Sequence, residues 1–199
     1  MPAVTQPIYE EFKALVEYDG GHNEVACGNY LHYAIEFLLP VTVVERDFER
    51  EDRNYFGSSD FVISAKLLDE MSVESRCAYI WEIKAPQCYL LEKDDNRNRF
   101  RPTLDLVKAE NQLLHYYQEA IDNDGFRRRF GVMDRNNIRL GGIIIGRSDR
   151  LARVYEERDK SSMDTALKVR KEYLYSSRGI RLFNWDRLLT FIRPPKTVS

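Results

Sequence analysis

Residues 78–87 read AYIWEIKAPQ, and the interpretation of the whole chain starts from this stretch. Its aromatic and β-branched residues favour a strand, which the proline at position 86 would end. Glu82 and Lys84 lie inside the apolar run, although buried strands normally avoid charged side chains because unpaired buried charge is costly. The stretch is therefore either a half-exposed edge strand or one half of an active site.

The spacing of the two charged residues favours a shared site. Residues two apart in a strand point to the same face, so Glu82 and Lys84 are predicted to project together. Asp60 begins the preceding predicted strand and would lie beside Glu82 if the two strands pair as a hairpin. Two carboxylates are suitable ligands for Mg²⁺, and a neighbouring lysine can neutralise charge on a phosphate. The pattern predicts metal-assisted phosphodiester hydrolysis; the alternative is an edge strand whose Glu82 and Lys84 pair in solvent.

The order of predicted elements indicates an α/β fold, with a central mixed β-sheet flanked by helices. Three consecutive strands are expected to form a meander, and Asp186 is a candidate N-cap for the closing helix. The predicted order is helices at 7–18 and 23–39, strands at 41–50, 59–67 and 77–85, a long polar loop at 86–103, a helix at 104–123, a basic turn at 126–130, a strand at 138–148, a helix around 164–176, a strand at 180–185 and a helix at 185–192.

The predicted helix at 104–123 carries a polar stripe. Lys108, Gln112 and Tyr116 follow one another at intervals of four, so they share one helix face. An ammonium, an amide and a phenol in a row are suited to contact a phosphate or a catalytic water. The alternative is a solvated face on which Tyr116 is half-buried.

Charge is distributed unevenly along the chain. The net charge is −2, but residues 1–92 hold 7 basic and 17 acidic side chains, whereas residues 93–199 hold 23 and 15. If the fold also separates the two halves, the acidic half is suited to divalent cations and the basic half to phosphates. Solvation of helices by long polar side chains explains the same counts equally well.

The cysteines and the apolar segments indicate a cytoplasmic location. The three cysteines show no C-x-x-C spacing, and an odd count favours free thiols in a reducing compartment. No basic region followed by an apolar run marks a signal peptide at the N-terminus. The most apolar stretch, AIEFLLPVTVV, is interrupted by Glu36 and Pro40 and is too short to span a bilayer, so no membrane contact is expected.

Three groups of residues together resemble the PD-(D/E)XK nuclease superfamily: Asp60 followed by Phe-Val-Ile, Glu82-Ile-Lys84-Ala-Pro, and Lys108, Gln112 and Tyr116 on one helix. More narrowly, GGIIIGRSDRL at 141–151 and IRLFNWDRLLTFI at 180–192 resemble the nuclease domain of Shedu-type bacterial antiphage defence proteins. The resemblance covers roughly residues 25–192. It implies a restriction-endonuclease-like domain at 23–193, preceded by an N-terminal helical extension at 1–22 and followed by a tail at 194–199.

The resemblance also implies roles for individual residues. Asp60 and Glu82 would bind Mg²⁺ or Mn²⁺, with the backbone carbonyl of Ile83 as a further ligand. Lys84 would position the attacking water or stabilise the transition state, and Gln112 would support the site. Many members add a glutamate from the first core helix, for which Glu36 is preferred over Glu24. Two features depart from the pattern. Ser58 and Ser59 stand before Asp60 in place of a proline, and the long N-terminal region of many Shedu proteins is absent, so either the chain senses phage or DNA ends by itself or a sensor or regulatory partner does so.

DNA is the expected substrate, and its phosphates would meet basic side chains on four segments. Arg147 has an alternative role in a structural ion pair. A homo-oligomer is a further expectation, because cleavage of two strands needs two sites and homo-oligomers are common. Two other functions remain open: a catalytically inert nuclease-fold module that binds nucleic acid or a protein partner, and a nuclease of repair or recombination. The expected nucleic-acid contacts are Arg97, Arg99, Arg101, Lys108, Tyr116, Arg127, Arg128, Arg129 and Arg147.

Overall fold

A computed structural model describes residues 4–39, 43–49, 61–68, 71–94, 99–153 and 156–195, with the backbone alone described for residues 43–49. Its strands form one sheet of five and one sheet of two. The strands are β1 Val43–Glu49, β2 Phe61–Leu68, β3 Glu74–Ile83, β4 Leu91–Asp94, β5 Arg99–Pro102, β6 Ile138–Ile144 and β7 Arg181–Phe183. The helices are α1 Gln6–Glu17, α2 Glu24–Gly28, α3 Ile35–Leu38, α4 Leu104–Asp122, α5 Asp124–Phe130, α6 Lys160–Arg170 and α7 Trp185–Ile192.

The five-stranded sheet is mixed and has the order β1-β2-β3-β6-β7. Strands β1, β2 and β3 form the predicted antiparallel meander, in which Phe61 of β2 pairs with Trp81 of β3. Strands β6 and β7 then add parallel to β3 and to each other, after helical connections that parallel pairing requires. The predicted α/β class with a central mixed sheet is confirmed.

Helices cover both faces of this sheet and define two hydrophobic cores. On one face α1, α2, α3 and α7 pack against the odd-numbered residues of β3, such as Trp81 and Ile83. On the other face α4, α5 and α6 pack against the even-numbered residues, such as Ile80. The alternation of a strand therefore assigns each β3 side chain to one of the two cores.

Two glycines allow β6 to lie close to its neighbours. A Cβ atom at Gly141 would overlap the indole of Trp81, and one at Gly142 would overlap both that ring and the carbonyl oxygen of Arg181. Any larger residue at these positions would separate β6 from β7 or displace the Trp81 ring. The pair of glycines thus fixes the spacing of the parallel half of the sheet.

Helix α1, placed by the sequence in an N-terminal extension, contributes to the same core as α7. Phe12 is fully buried and stacks on Tyr30 with ring centroids 5.0 Å apart. Its ring also meets Trp185 edge-on at 6.0 Å. The first turn of α1 contains Pro7, which suits this position because its missing N–H needs no helical partner. Within the described residues, every helix falls short of the length and apolarity that a bilayer span requires.

Two predicted elements were wrong in kind. The helix predicted over 23–39 is divided into α2, a 3₁₀ turn at Leu31–Tyr33 and α3. The division begins at Gly28, a poor helix former, after which Asn29 and Tyr30 donate to carbonyls three residues earlier. The polar loop predicted over 86–103 contains β4 and β5, which pair as an antiparallel ribbon whose inward side chains include Leu91 and Phe100.

Two smaller predictions also differ from the structure. The segment 126–130, expected as a basic turn, lies within α5, which Asn123 caps by accepting from the N–H groups of Gly125 and Phe126. The N-cap of α7 is Asn184, whose side chain accepts from the N–H of Arg187, and not the predicted Asp186. In both cases an asparagine beside the helix start supplies the cap.

Candidate functional site

Strand β3 buries a carboxylate. Glu82 is 1% exposed. It lies two residues after Ile80 in the strand, so both side chains point to the face that α4 covers. Trp81 and Ile83 point into the opposite core. A buried carboxylate in an apolar strand is costly unless a cation or hydrogen bonds compensate its charge.

Lys84 supplies that compensation. Its Nζ lies 2.5 Å from Oε1 of Glu82, and the lysine side chain is 16% exposed. The same Nζ donates to the backbone carbonyl of Ile83 at 3.2 Å. Two oxygen atoms, one from a carboxylate and one from the backbone, thus converge on a single cationic group. The alternative of an edge strand with its ion pair in solvent is wrong, because β3 is central, Glu82 is buried and Lys84 is only 16% exposed.

Backbone hydrogen bonds hold the end of β3 in place. The N–H of Lys84 donates to the carbonyl of Ile144 at 2.8 Å, and its carbonyl accepts from the indole Nε1 of Trp185 at 2.8 Å. The carbonyl of Ala85 accepts from the N–H of Gly146 at 3.3 Å. Strand β6 and helix α7 therefore fix the backbone on which Glu82 and Lys84 stand.

The pKa of Cys88 indicates which other charged groups lie near the end of β3. The pKa of its thiol is raised to about 12, first by burial and then by the carboxylates of Asp105 and Glu24, whereas Lys84 acts to lower it. Its Sγ lies 3.9 Å from Nδ1 of His22. The pKa of the Cys88 thiol is thus influenced by the charges of Asp105, Glu24 and Lys84. Asp105 was not predicted from the sequence. The feature that could have indicated it is an acidic residue in the first turn of α4.

The position of Glu36 does not favour it over Glu24 as the upstream metal ligand. Glu36 is exposed on α3, whose apolar residues belong to the core on the face opposite to Glu82. Glu24, the second candidate, is half-buried and acts on Cys88 together with Lys84. Of the two glutamates, Glu24 is therefore the better placed.

The polar stripe of α4 is only partly accessible. Lys108 is exposed and Gln112 is half-buried, but Tyr116 is 8% exposed and belongs to the core under the helix. The amide of Gln112 donates to the hydroxyl of Tyr116 at 3.5 Å. The expected contact between Tyr116 and nucleic acid is therefore wrong, because this side chain packs into the core and is not accessible to a ligand.

The basic residues predicted for DNA binding differ in their surroundings. Arg99 and Arg101 are both exposed on β5, where Nε of Arg101 lies 2.9 Å from Oε1 of Glu92. Asp60 and Arg97 lie outside the described residues. The two described arginines share one face of the β4–β5 ribbon, since they are two residues apart.

Helix α5 presents two of its three arginines to solvent. Arg128 and Arg129 are exposed, whereas Arg127 donates to the carboxylate of Asp124 and, at 2.9 Å, to the carbonyl of Ile121. Arg127 therefore contributes to the junction between α4 and α5. The accessible positive charge of the segment comes from the other two residues.

Arg147 forms the structural ion pair that was the alternative to DNA binding. It is 6% exposed and donates to the carbonyl of Val16 at 3.1 Å. Its guanidinium also contacts Asp149 and Asp19, each at 3.0 Å. The prediction of a nucleic-acid contact at Arg147 is corrected accordingly, since a buried guanidinium with these partners is not available to a phosphate.

Within the described residues, no three His, Cys, Asp or Glu side chains are grouped so as to hold a metal ion. Comparison of the chain with protein-family models, curated proteins and solved structures gave no match.

Proposed function

We propose that this chain is a metal-dependent nuclease that hydrolyses DNA phosphodiester bonds, with Glu82 and Lys84 at the centre of its active site. The observation that carries the proposal is the convergence of Glu82 Oε1 and the Ile83 carbonyl on one ammonium group. A carboxylate and a carbonyl oxygen that converge on one cation are donors of the kind that a hard divalent cation binds. A buried ion pair adds little to stability by itself, which favours a functional reason for it.

The residues present suit Mg²⁺ or Mn²⁺. Both are hard cations that take carboxylate and carbonyl oxygens, which Glu82 and Ile83 supply. Asp60 is the proposed second carboxylate: it precedes Phe61, Glu82 follows Trp81, and Phe61 pairs with Trp81 across the two strands. When bound, such an ion polarises a phosphoryl oxygen and favours hydroxide over water.

Lys84 has a separate proposed task at the phosphate. Its ammonium lies beside Glu82 Oε1 and the Ile83 carbonyl, so it would stand next to a metal ion that these oxygens bind. A fixed ammonium beside a scissile phosphate stabilises the negative charge that develops in the transition state. Gln112 on α4 would support this arrangement, and Glu24 or Asp105 would add a further carboxylate.

The finer fold and family assignments belong to the same proposal. A meander of three strands, a long helix and a parallel strand succeed one another in β1, β2, β3, α4 and β6, and this succession supports a restriction-endonuclease-like core. With the resemblance of 141–151 and 180–192 to Shedu nuclease domains, it supports a role in antiphage defence. DNA contacts would come from exposed basic groups, namely Arg99, Arg101, Lys108, Arg128 and Arg129.

A plasmid-cleavage assay tests the proposal. The parent chain is incubated with supercoiled DNA in Mg²⁺, Mn²⁺ or EDTA and compared with Glu82→Gln and Lys84→Met. The matched control is Glu74→Gln, because Glu74 stands on the same strand and pairs with Lys66 at the far end from the site. Circular dichroism confirms that each variant is folded.

Cleavage is expected with metal but not with EDTA, and each site variant should lose about a hundredfold or more in rate, as when one electrostatic partner of a transition state is removed. The control should cleave as the parent does. Metal-dependent cleavage that survives Glu82→Gln would contradict the site. If no condition gives cleavage, calorimetric titration with Mn²⁺ separates the cases, since heat lost in Glu82→Gln supports the site and absent heat supports an inert module.

A further inference from the structure

A long groove follows the edge strand β7. It has a volume of about 1420 Å³, and residues 180–184, which include the whole of β7, line it. Its opposite wall comes from the end of α6 and from the π-helical turn Lys171–Tyr175 that continues it. The groove is larger than the roughly 300–1,000 Å³ of a pocket for a drug-sized ligand. Its size and its course along a strand therefore indicate an extended ligand.

The charge of the lining is strongly positive. Glu172 is the one carboxylate among the described lining residues, and it pairs with Lys168 at 3.8 Å. Cations from four separate elements face the same space, so the excess charge is a property of the fold and not of one basic helix. The basic residues of the lining are Arg139, Lys168, Lys171, Arg178, Arg181 and Arg187.

The guanidinium of Arg181 lines the groove, and its positive charge is poorly compensated. Its guanidinium lies 4.9 Å from the ring centroid of Trp81 and donates to the carbonyl of Leu38 and, at 3.4 Å, to that of Gly141. Among the described residues no carboxylate pairs with it, and burial lowers the pKa of its guanidinium. An anion entering the groove would compensate this charge, which makes binding of an anion favourable.

The π-helical wall is held in a defined position. Glu110 of α4 accepts from the hydroxyl of Tyr175 and from Nε of Arg170 at 2.7 Å. π-Helical turns are rare and often occur at functional sites. Lys171, the first residue of this turn, and Arg178, three residues after its end, both line the groove beside this preformed wall.

We propose that this groove binds a single-stranded segment of nucleic acid. A recessed channel fits one flexible strand better than a convex duplex, and positive grooves combined with ring surfaces are typical of single-strand binding. Phe183 and Tyr117 are half-buried in the lining and offer such rings to bases. The guanidinium of Arg187 lies 5.5 Å from the Phe183 ring, so a cation and a ring are presented together.

This binding site is separate from the proposed cleavage site. Neither Glu82 nor Lys84 lines the groove, and β7 lies two strands from β3, roughly 10 Å away. The inference therefore does not depend on nuclease activity. A single strand displaced from a duplex beside the cleavage site is the kind of ligand that would use both regions.

Fluorescence anisotropy with a fluorescein-labelled dT20 oligonucleotide tests the inference in EDTA, where metal-dependent cleavage cannot occur. The groove variant combines Arg139→Gln, Arg178→Gln and Arg187→Gln, all at exposed positions that should not affect folding. A second variant places lysine at the same three positions. The matched control removes three exposed charges outside the groove, by Lys13→Gln, Arg158→Gln and Lys160→Gln. Thermal unfolding of each variant is recorded beside the binding curve.

The groove variant is expected to bind on the order of tenfold more weakly, and its slope of log affinity against log salt should fall by about 2, since each lost phosphate contact of a single strand contributes about 0.7. The lysine variant should retain most of the affinity, and the control should stay within about twofold of the parent. Equal losses in groove and control variants would overturn the inference. So would displacement of the oligonucleotide by polyglutamate at equal charge, which would assign the groove to acidic peptides.

Discussion

The guanidinium of Arg147 donates to both carboxylate oxygens of Asp149, with Nε and Nη2 each 3.0 Å from an oxygen. The hydrogen bonds from Arg147 hold the pKa of the Asp149 carboxyl below its usual value, and those to Asp149 raise the pKa of Arg147. A third bond, to the carbonyl of Val16, connects the end of β6 to α1. Arg147 thus joins two segments that are 131 residues apart in sequence, and its role is structural.

Replacement of Arg147 by methionine should lower the free energy of unfolding by about 1–3 kcal/mol, because the Val16 carbonyl then loses its donor while the apolar stem is kept. Asp149 is 64% exposed, so its carboxylate stays solvated and adds little to the loss. Urea unfolding measures the effect, and Arg158→Met, at an exposed position, should change it by less than about 0.5 kcal/mol. DNA affinity of the Arg147→Met variant should equal that of the parent; a tenfold loss in a folded variant would restore Arg147 to the DNA interface.

Gly142→Ala should be among the most damaging small changes in the chain. The new methyl group would overlap the carbonyl of Arg181 and the ring of Trp81, so β6 and β7 would have to separate. Overpacking of this kind costs about 3 kcal/mol or more. Thermal unfolding provides the measurement, with Gly21→Ala as the control because nothing lies within 4 Å of a Cβ there. Similar melting temperatures for the two variants would show that β6 and β7 tolerate a wider spacing.

The stability contributed by Asp159 should depend on pH. The hydrogen bonds from Lys93, at 2.9 and 2.8 Å, and then the N–H of Glu156 lower the pKa of this carboxyl. A carboxyl whose pKa is lower in the folded state stabilises the protein above its unfolded pKa and loses that effect as pH falls through the folded pKa. The stability difference between the parent and Asp159→Asn should thus be full at pH 6 and shrink below the ordinary value of 3.8.

Urea unfolding at pH 6, 4 and 3 checks this prediction. Asp164→Asn serves as the comparison, because Asp164 is an exposed residue of α6, the helix that directly follows Asp159. If the free energies of unfolding of the parent and of Asp159→Asn differ by the same amount at all three pH values, the Lys93 contact does not affect the pKa of the carboxyl. Loss of the difference already at pH 6 would also contradict it.

The fold was predictable where local sequence and tertiary packing agree. The β-branched runs of β1, β2 and β3 favour strands by themselves, and α4 has an apolar face as well as Thr103 as a cap, so these elements were predicted correctly. The β4–β5 ribbon was not, because its sequence is polar and each strand has only four residues. Its pairing depends on burial of Leu91 and Phe100 by α6 and neighbouring loops, which a local pattern does not contain.

Of the candidate site, the pairing of Glu82 with Lys84 was predictable, because charge inside an apolar strand is visible in the sequence. Arg147 was misjudged because its partners Val16 and Asp19 come from α1 and the segment after it, far away in the chain. The groove was overlooked for a similar reason, since its cations come from separate elements that become neighbours only when the sheet is complete.

The hydrogen bond from the Trp185 indole to the Lys84 carbonyl spans 101 positions of sequence. A ribosome delivers the chain from its N-terminus, so β3 leaves the exit tunnel long before the helix that fixes its end. Trp185 and Leu188 are fully buried, and a nascent chain without them lacks part of the core under β3. The end of the strand that carries Glu82 and Lys84 is therefore fixed only after a further 101 residues have been synthesised.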